Sequence, residues 1–141
     1  MNRTIRIEQL FRGADDGVSV RRYEVHAPVV RKKGDDCVTT ANLARAERAL
    51  VFRAMSEGMR SPSALRYARE ALEMDVSATA AQTMESPFAV VAWESGALPI
   101  SDEAAADLTA LLEQSDRGGM LARRCLGRPS ASASTARPSA S

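Results

Sequence analysis

One histidine, His26, and two distant cysteines, Cys37 and Cys125, are the only imidazole and thiols in 141 residues. No stretch has the spacing of a metal-ligand set, and no glycine loop is built to cradle phosphate. A zinc site or a disulfide framework therefore lacks raw material, and no cofactor is expected. Apolar runs of about 18 residues, the length that spans a bilayer, are also missing. Residues 1–8 alternate charge with aliphatics and lack the apolar block of a signal peptide. The expectation is a cytoplasmic chain, with no membrane partner, whose thiols stay reduced. Lysine is scarce: the 19 basic residues include only Lys32 and Lys33, leaving 17 arginines, and alanine is plentiful. That bias reads as GC-rich coding, and so as a bacterium or one of its phages or plasmids.

Formal net charge is only +1, but its distribution is uneven. Residues 1–75 carry a net +3, residues 76–117 a net −6 and residues 118–141 a net +4. Counterion-release binding to nucleic acid needs a concentrated basic surface, which this bulk balance does not supply. Basic side chains do cluster locally, at Arg21 and Arg22, at Arg31, Lys32 and Lys33, and at Arg60 and Arg66.

The length suits one domain over residues 1–126 with a tail over 127–141. Residues 1–30 read as a β-hairpin. In its first strand Ile5, Ile7 and Phe11 share one face, and Thr4, Arg6 and Glu8 the other. Residues 13–17 supply a turn tolerant of positive φ. The second strand begins with Val18 and Val20 in one phase and continues with Tyr23, Val25, Ala27 and Val29 in the other. That change of phase predicts a β-bulge near Arg21-Arg22. Pro28 marks an edge or the end of the strand. Residues 31–38 read as a charged loop.

A helix is predicted over about 41–57, capped by Thr39 or Thr40. Leu43, Ala46, Leu50 and Ala54 form its apolar stripe, widened by Val51, Met55 and Met59, with Phe52 roughly opposite Leu43. Gly58 ends it. Ser61-Pro62 opens a second helix, serine as N-cap and proline at the first helical position. Leu65, Ala68 and Leu72 point inward there, while Arg66–Glu70 and Arg69–Glu73 are spaced to pair outside. Residues 76–86 are weakly patterned and read as a loop. Residues 88–93, a short apolar run of β-formers after Pro87, read as a buried strand. Ser101 opens a last helix with Ala104, Leu108, Leu111 and Leu112 inward, stopped by Gly118-Gly119. Residues 127–141 hold no large apolar side chain and contain Arg-Pro-Ser-Ala-Ser twice. Such a composition cannot offset the entropy of ordering, so a disordered tail is expected.

Cys37 and His26 would make a nucleophile–base dyad, but nothing local supplies an activated thiolate or an oriented imidazole. Asp15-Asp16 and Asp35-Asp36 do not have the spacing of a calcium loop and read as solvated turns. The two central helices have the outline of a helix-turn-helix. Its second helix would set Ser61, Ser63, Arg66 and Tyr67 against bases and Arg60 against phosphate. The acidic partners at i+4 argue for a packed helical hairpin instead. Arg21, Arg22, Arg31, Lys32 and Lys33 form a second basic area suited to phosphates or an acidic protein face.

Leu10-Phe11-Arg12-Gly13, with Asp16-Gly17, Ser19-Val20 and Glu24-Val25, resembles a stretch of RadC-like proteins of the JAB metalloprotease fold. The likeness is confined to residues 10–25. The family's metal-binding His-x-His-Pro-Ser-Gly segment is absent, so the resemblance implies no metal-dependent activity here.

The expected fold is α+β: an N-terminal β-hairpin, an αα-hairpin, one or two short strands, a C-terminal helix and a disordered tail. The helices would cover one face of a small antiparallel sheet. The expected function is non-enzymatic, an adaptor or inhibitor that occupies a surface of another macromolecule, another protein first and nucleic acid second. Charge complementarity would guide it, with Phe52, Tyr67 or Trp93 as aromatic anchors. Arg21, Arg22, Arg31, Lys32, Lys33, Arg60, Arg66 and Tyr67 are the expected binding residues. A helix-turn-helix regulator of DNA and a small enzyme using Cys37 and His26 are the alternatives.

Overall fold

The computed structural model describes residues 3–12, 20–115 and 120–125. Strands β1 (Thr4–Arg12) and β2 (Val20–Pro28) pair antiparallel along their whole length, from Thr4 opposite Pro28 to Arg12 opposite Val20. Alternation then puts Ile7, Phe11, Tyr23, Val25 and Ala27 on one face, and Arg6, Glu8, Leu10, Arg22, Glu24 and His26 on the other. The register skips no residue, so the predicted bulge at Arg21-Arg22 does not form. Val20 sits on the outer face with Leu10, both exposed, and these two aliphatics imitate a change of phase. β2 ends at Pro28, as expected. The predicted turn at 13–17 and Val18 lie outside the described residues.

Residues 30–37 fold as a second hairpin rather than a loop, with β3 (Val30–Lys32) against β4 (Asp35–Cys37). Lys33 and Gly34 take φ values of 51° and 85°. Two consecutive positive values are what a two-residue type I′ turn requires. Lysine in place of the usual Asn or Asp conceals that turn in the sequence.

Helix α1 (Thr40–Ser56) starts from Thr39, whose hydroxyl accepts the Asn42 N–H at 3.0 Å. Helix α2 (Pro62–Ala71) starts from Ser61, whose Oγ accepts the Ala64 N–H at 3.3 Å. Two expectations fail beyond it. Residues 76–83, expected as loop, form α3 (Val76–Thr83), capped by Asp75. Residues 88–93, expected as strand, lie within α4 (Pro87–Ser95), capped by Ser86 at 3.1 Å from the Ala89 N–H. Ser86-Pro87 repeats the start signal of Ser61-Pro62, and a short apolar run cannot be assigned by periodicity alone. Gly96 ends α4 at φ 85°, a left-handed position that suits glycine. Helix α5 (Asp102–Ser115) follows its Ser101 cap. The chain then returns as β5 (Arg123–Arg124) beside β2, giving a sheet of order β1-β2-β5. The Gly118-Gly119 stop and the 127–141 tail lie outside the described residues.

The fold is α+β as expected, with its short strands at residues 30–32, 35–37 and 123–124 instead of 88–93. One face of the sheet packs on α1 and α2, and α1 also touches α5. The core joins Phe11, Tyr23 and Val25 to Leu50, Met55, Met59, Leu65, Trp93, Leu108 and Leu112. Ala46, Ala54, Ala64, Ala68 and Ala104 are fully buried, and such small side chains let helix axes approach closely. Leu43, assigned by its spacing to the inward stripe, is exposed instead. Among the described residues, Arg6, Glu8, Leu10, Arg12, Val20 and His26 on the other face of the sheet are all exposed. That open face positions the first candidate site.

Candidate functional site

Glu24 stands in the middle of β2 on the open face, yet its side chain is only 7% exposed. The register sets Glu8 opposite it on β1 and Arg123 opposite it on β5. Two carboxylates facing each other across strands would repel, and flanking arginines answer that. Arg6 Nε donates to Glu24 Oε1 at 3.0 Å and Arg123 Nε to Glu24 Oε2 at 3.1 Å. Cys125 Sγ donates to Oε1 at 3.3 Å, and His26 Nε2 lies 3.5 Å from Oε2. Arg6 also pairs with Glu8, and Arg22 Nε lies 3.8 Å from Glu8 Oε1.

Burial alone would raise the Glu24 carboxyl. Hydrogen bonds from Cys125, Arg123 and Arg6 overcome it and hold the group at about 2. Cys125 moves the opposite way: burial, then the adjacent carboxylate, push its thiol up. A thiol held protonated is a hydrogen-bond donor and a poor nucleophile. Arg6, Arg22, Arg123 and Arg124 line, with Glu24 and Cys125, a cleft of about 370 Å³. Glu24, His26 and Cys125 do not form a group able to hold a metal ion.

Of the expected binding residues, Arg22 alone lines this cleft. Arg21, its neighbour, points the other way as strand alternation demands. Its Nη1 donates to the Glu57 carbonyl at 3.0 Å, beside the Tyr23 hydroxyl that donates to Glu57 Oε1 at 3.0 Å. Arg31, Lys32 and Lys33 are exposed on the β3–β4 hairpin. Arg31 lies 4.0 Å from Asp36, which Arg3 binds at 2.7 Å. Arg60 Nη1 donates to the Met55 and Met59 carbonyls, both at 2.8 Å, and so closes the end of α1. Arg66 pairs with Glu70 at 3.2 Å. Tyr67 is half-buried with its ring edge-on to Phe11 at 5.2 Å, and burial pushes its phenol up.

The expected Arg69–Glu73 pair does not form, because α2 ends at Ala71 and Glu73 lies beyond it at φ 57°. Arg69 instead makes a two-pronged ion pair with Glu94 of α4. Cys37 and His26 are not joined by any hydrogen bond or ion pair. Cys37 lies 3.8 Å from the Asp35 carbonyl, and His26 faces Glu24. Residues 10–12 and 20–25 of the RadC-like stretch are strand residues of β1 and β2.

The expected aromatic anchors do not share an exposed face: Trp93 is buried and Phe52 and Tyr67 are half-buried against the core. A fourth aromatic, hidden by reading residues 88–93 as a buried strand, is exposed. As a helix, α4 turns Val90 and Trp93 inward and Phe88 and Val91 outward, one turn apart. Phe88 is 79% exposed, and Met84, in the left-handed link just before α4, is 89% exposed. Near the other end of α4 lies a cleft of about 430 Å³ lined by Arg60, one of the expected binding residues, with Pro62, Leu65, Trp93, Leu98 and Ile100. No family model matches the chain, and neither a curated protein nor a solved structure is significantly similar to it.

Proposed function

We propose that this chain is a non-enzymatic adaptor or inhibitor that docks another protein on the solvent side of α4. The observation that carries this reading is the exposure of Met84, Phe88 and Val91 within eight residues of chain. Single exposed apolar side chains are ordinary, whereas a large aromatic with two apolar neighbours supplies the centre of an interface. Aromatic and methionine side chains are enriched at such centres. Glu85, Asp102, Glu103 and Glu113 are exposed in the same acidic half of the chain, which suits a partner with a basic rim. No helix among the described residues is long and apolar enough to cross a membrane. A cytoplasmic setting in a bacterium, or an origin in its phages or plasmids, fits the two free cysteines and the arginine bias.

The alternatives have less support. Arg60 and Tyr67 are engaged inside the fold and Arg66 in a surface pair, which weakens a base-reading role for α2. Cys37 and His26 make no shared contact on which catalysis would rest. The test uses wild-type and Phe88→Asp protein as bait in an extract of the native host. The variant keeps its fold, with stability changed by no more than about 0.5 kcal/mol, and loses the captured partner. A partner captured equally by both proteins would contradict the reading.

A further inference from the structure

We propose that the arginine cleft on the open face of the sheet is an anion site that takes a phosphate group. Four guanidinium groups, those of Arg6, Arg22, Arg123 and Arg124, line it against the single carboxylate of Glu24. That carboxylate is saturated by Arg6, Arg123 and Cys125. Its effect is to hold Arg6 and Arg123 in place, with no oxygen free for the other two arginines.

Arg22 Nε is buried without a hydrogen-bond partner. Its nearest carboxylate oxygen, on Glu8, is 3.8 Å away, and Glu8 also serves Arg6. A buried N–H with no acceptor is unfavourable, and a small shift of the Arg22 guanidinium toward a ligand oxygen in the cleft would relieve it. Arg124 is exposed and has no ion-pair partner among the described residues. Counting Glu8 at the rim, positive groups still outnumber negative ones four to two.

Guanidinium forks match phosphate oxygens in two-pronged hydrogen bonds, and no lysine lines the cleft. The volume of about 370 Å³ is at the small end of ordinary ligand sites. Beyond Cys125 the sequence adds Arg128 and Arg137 and no acidic residue, so the surplus continues along the chain. The site lies on strands β1, β2 and β5, apart from α4, and stands whether or not a protein docks there.

The test titrates the protein with inorganic phosphate, a nucleoside 5′-monophosphate and a short single-stranded DNA, following backbone amides by NMR. Saturable shifts at residues 22–24 and 123–125 are expected at ligand concentrations of about 1 mM or below. Arg22→Gln and Arg124→Gln should each weaken binding about tenfold, while Arg66→Gln leaves it unchanged. Thermal melts confirm that each variant is folded, and Arg124, being exposed, can be replaced without loss of packing. Tightest binding by the monophosphate identifies a small phosphate ester. Tightest binding by DNA, falling steeply with salt, identifies backbone phosphates. Absence of saturable shifts with all three, or binding untouched by both cleft variants, overturns the proposal.

Discussion

A serine followed by proline starts two helices in this chain, and the two copies differ in where they lie. Ser61 is buried and Ser86 exposed, yet each hydroxyl accepts the backbone N–H three residues on. Ser86→Ala should cost about 1 kcal/mol of stability, and Ser61→Ala about 2 kcal/mol, because the buried amide it frees cannot turn to water. Urea denaturation of the two variants measures the difference. Glu24 makes a stronger claim. Its carboxyl is lowered from 4.5 to about 2 on folding. A depressed pKa stabilises the fold above the unfolded value and loses that contribution as pH falls through the folded one. Stability should therefore decline between about pH 5 and pH 2, by roughly 2–3 kcal/mol from this group. Glu24→Gln should be less stable at neutral pH and should show a flatter decline, as denaturation curves at pH 7 and pH 3 would reveal.

Between elements, the contact that decides most is the bridge from α2 to α4. Arg69 Nε meets Glu94 Oε2 at 2.7 Å and Arg69 Nη2 meets Oε1 at 3.1 Å, with both side chains largely buried. Removing one partner leaves the other charged and desolvated, so Glu94→Ala should destabilise by roughly 3 kcal/mol, and Arg69→Met with Glu94→Leu by less. A double-mutant cycle measures the coupling. This bridge also shows where reading a sequence stops. Local signals carry the β1–β2 hairpin, the Thr39 and Ser61 caps, the inward faces of α2 and α5, and that of α1 except for Leu43, which is exposed. The partner of Arg69 is 25 residues away, and no local spacing announces it. The β3–β4 hairpin was concealed by a lysine at a positive φ. The bulge was suggested by Val20, which lies on the outer face beside Leu10. Residues 88–93 have the same composition as a strand or a helix, and only Ser86-Pro87 distinguished them.

For the molecule as a whole, the open sheet face and α4 supply two surfaces of opposite character. The cleft was legible only through Arg22, because Arg123 reaches Glu24 across 99 positions of sequence. Charge runs marked Arg21, Arg60 and Arg66 equally, and the fold turned each to an internal or neighbouring partner. Phe88 is concealed in the sequence for a different reason: its exposure follows from helical geometry, and a buried strand would hide it. If α4 carries the function, Phe88→Asp and Val91→Asp should each abolish partner capture while melting within a few degrees of wild type. Charge changes on the β3–β4 hairpin, such as Lys33→Glu, should leave capture intact. The most direct measurement is site-specific photo-cross-linking in the native host, with a benzophenone side chain placed at position 88 on α4 or at position 66 on α2. A single dominant protein adduct from position 88, and none from position 66, is the expected result. Adducts of equal yield from both positions, or from position 66 alone, would contradict a docking face on α4.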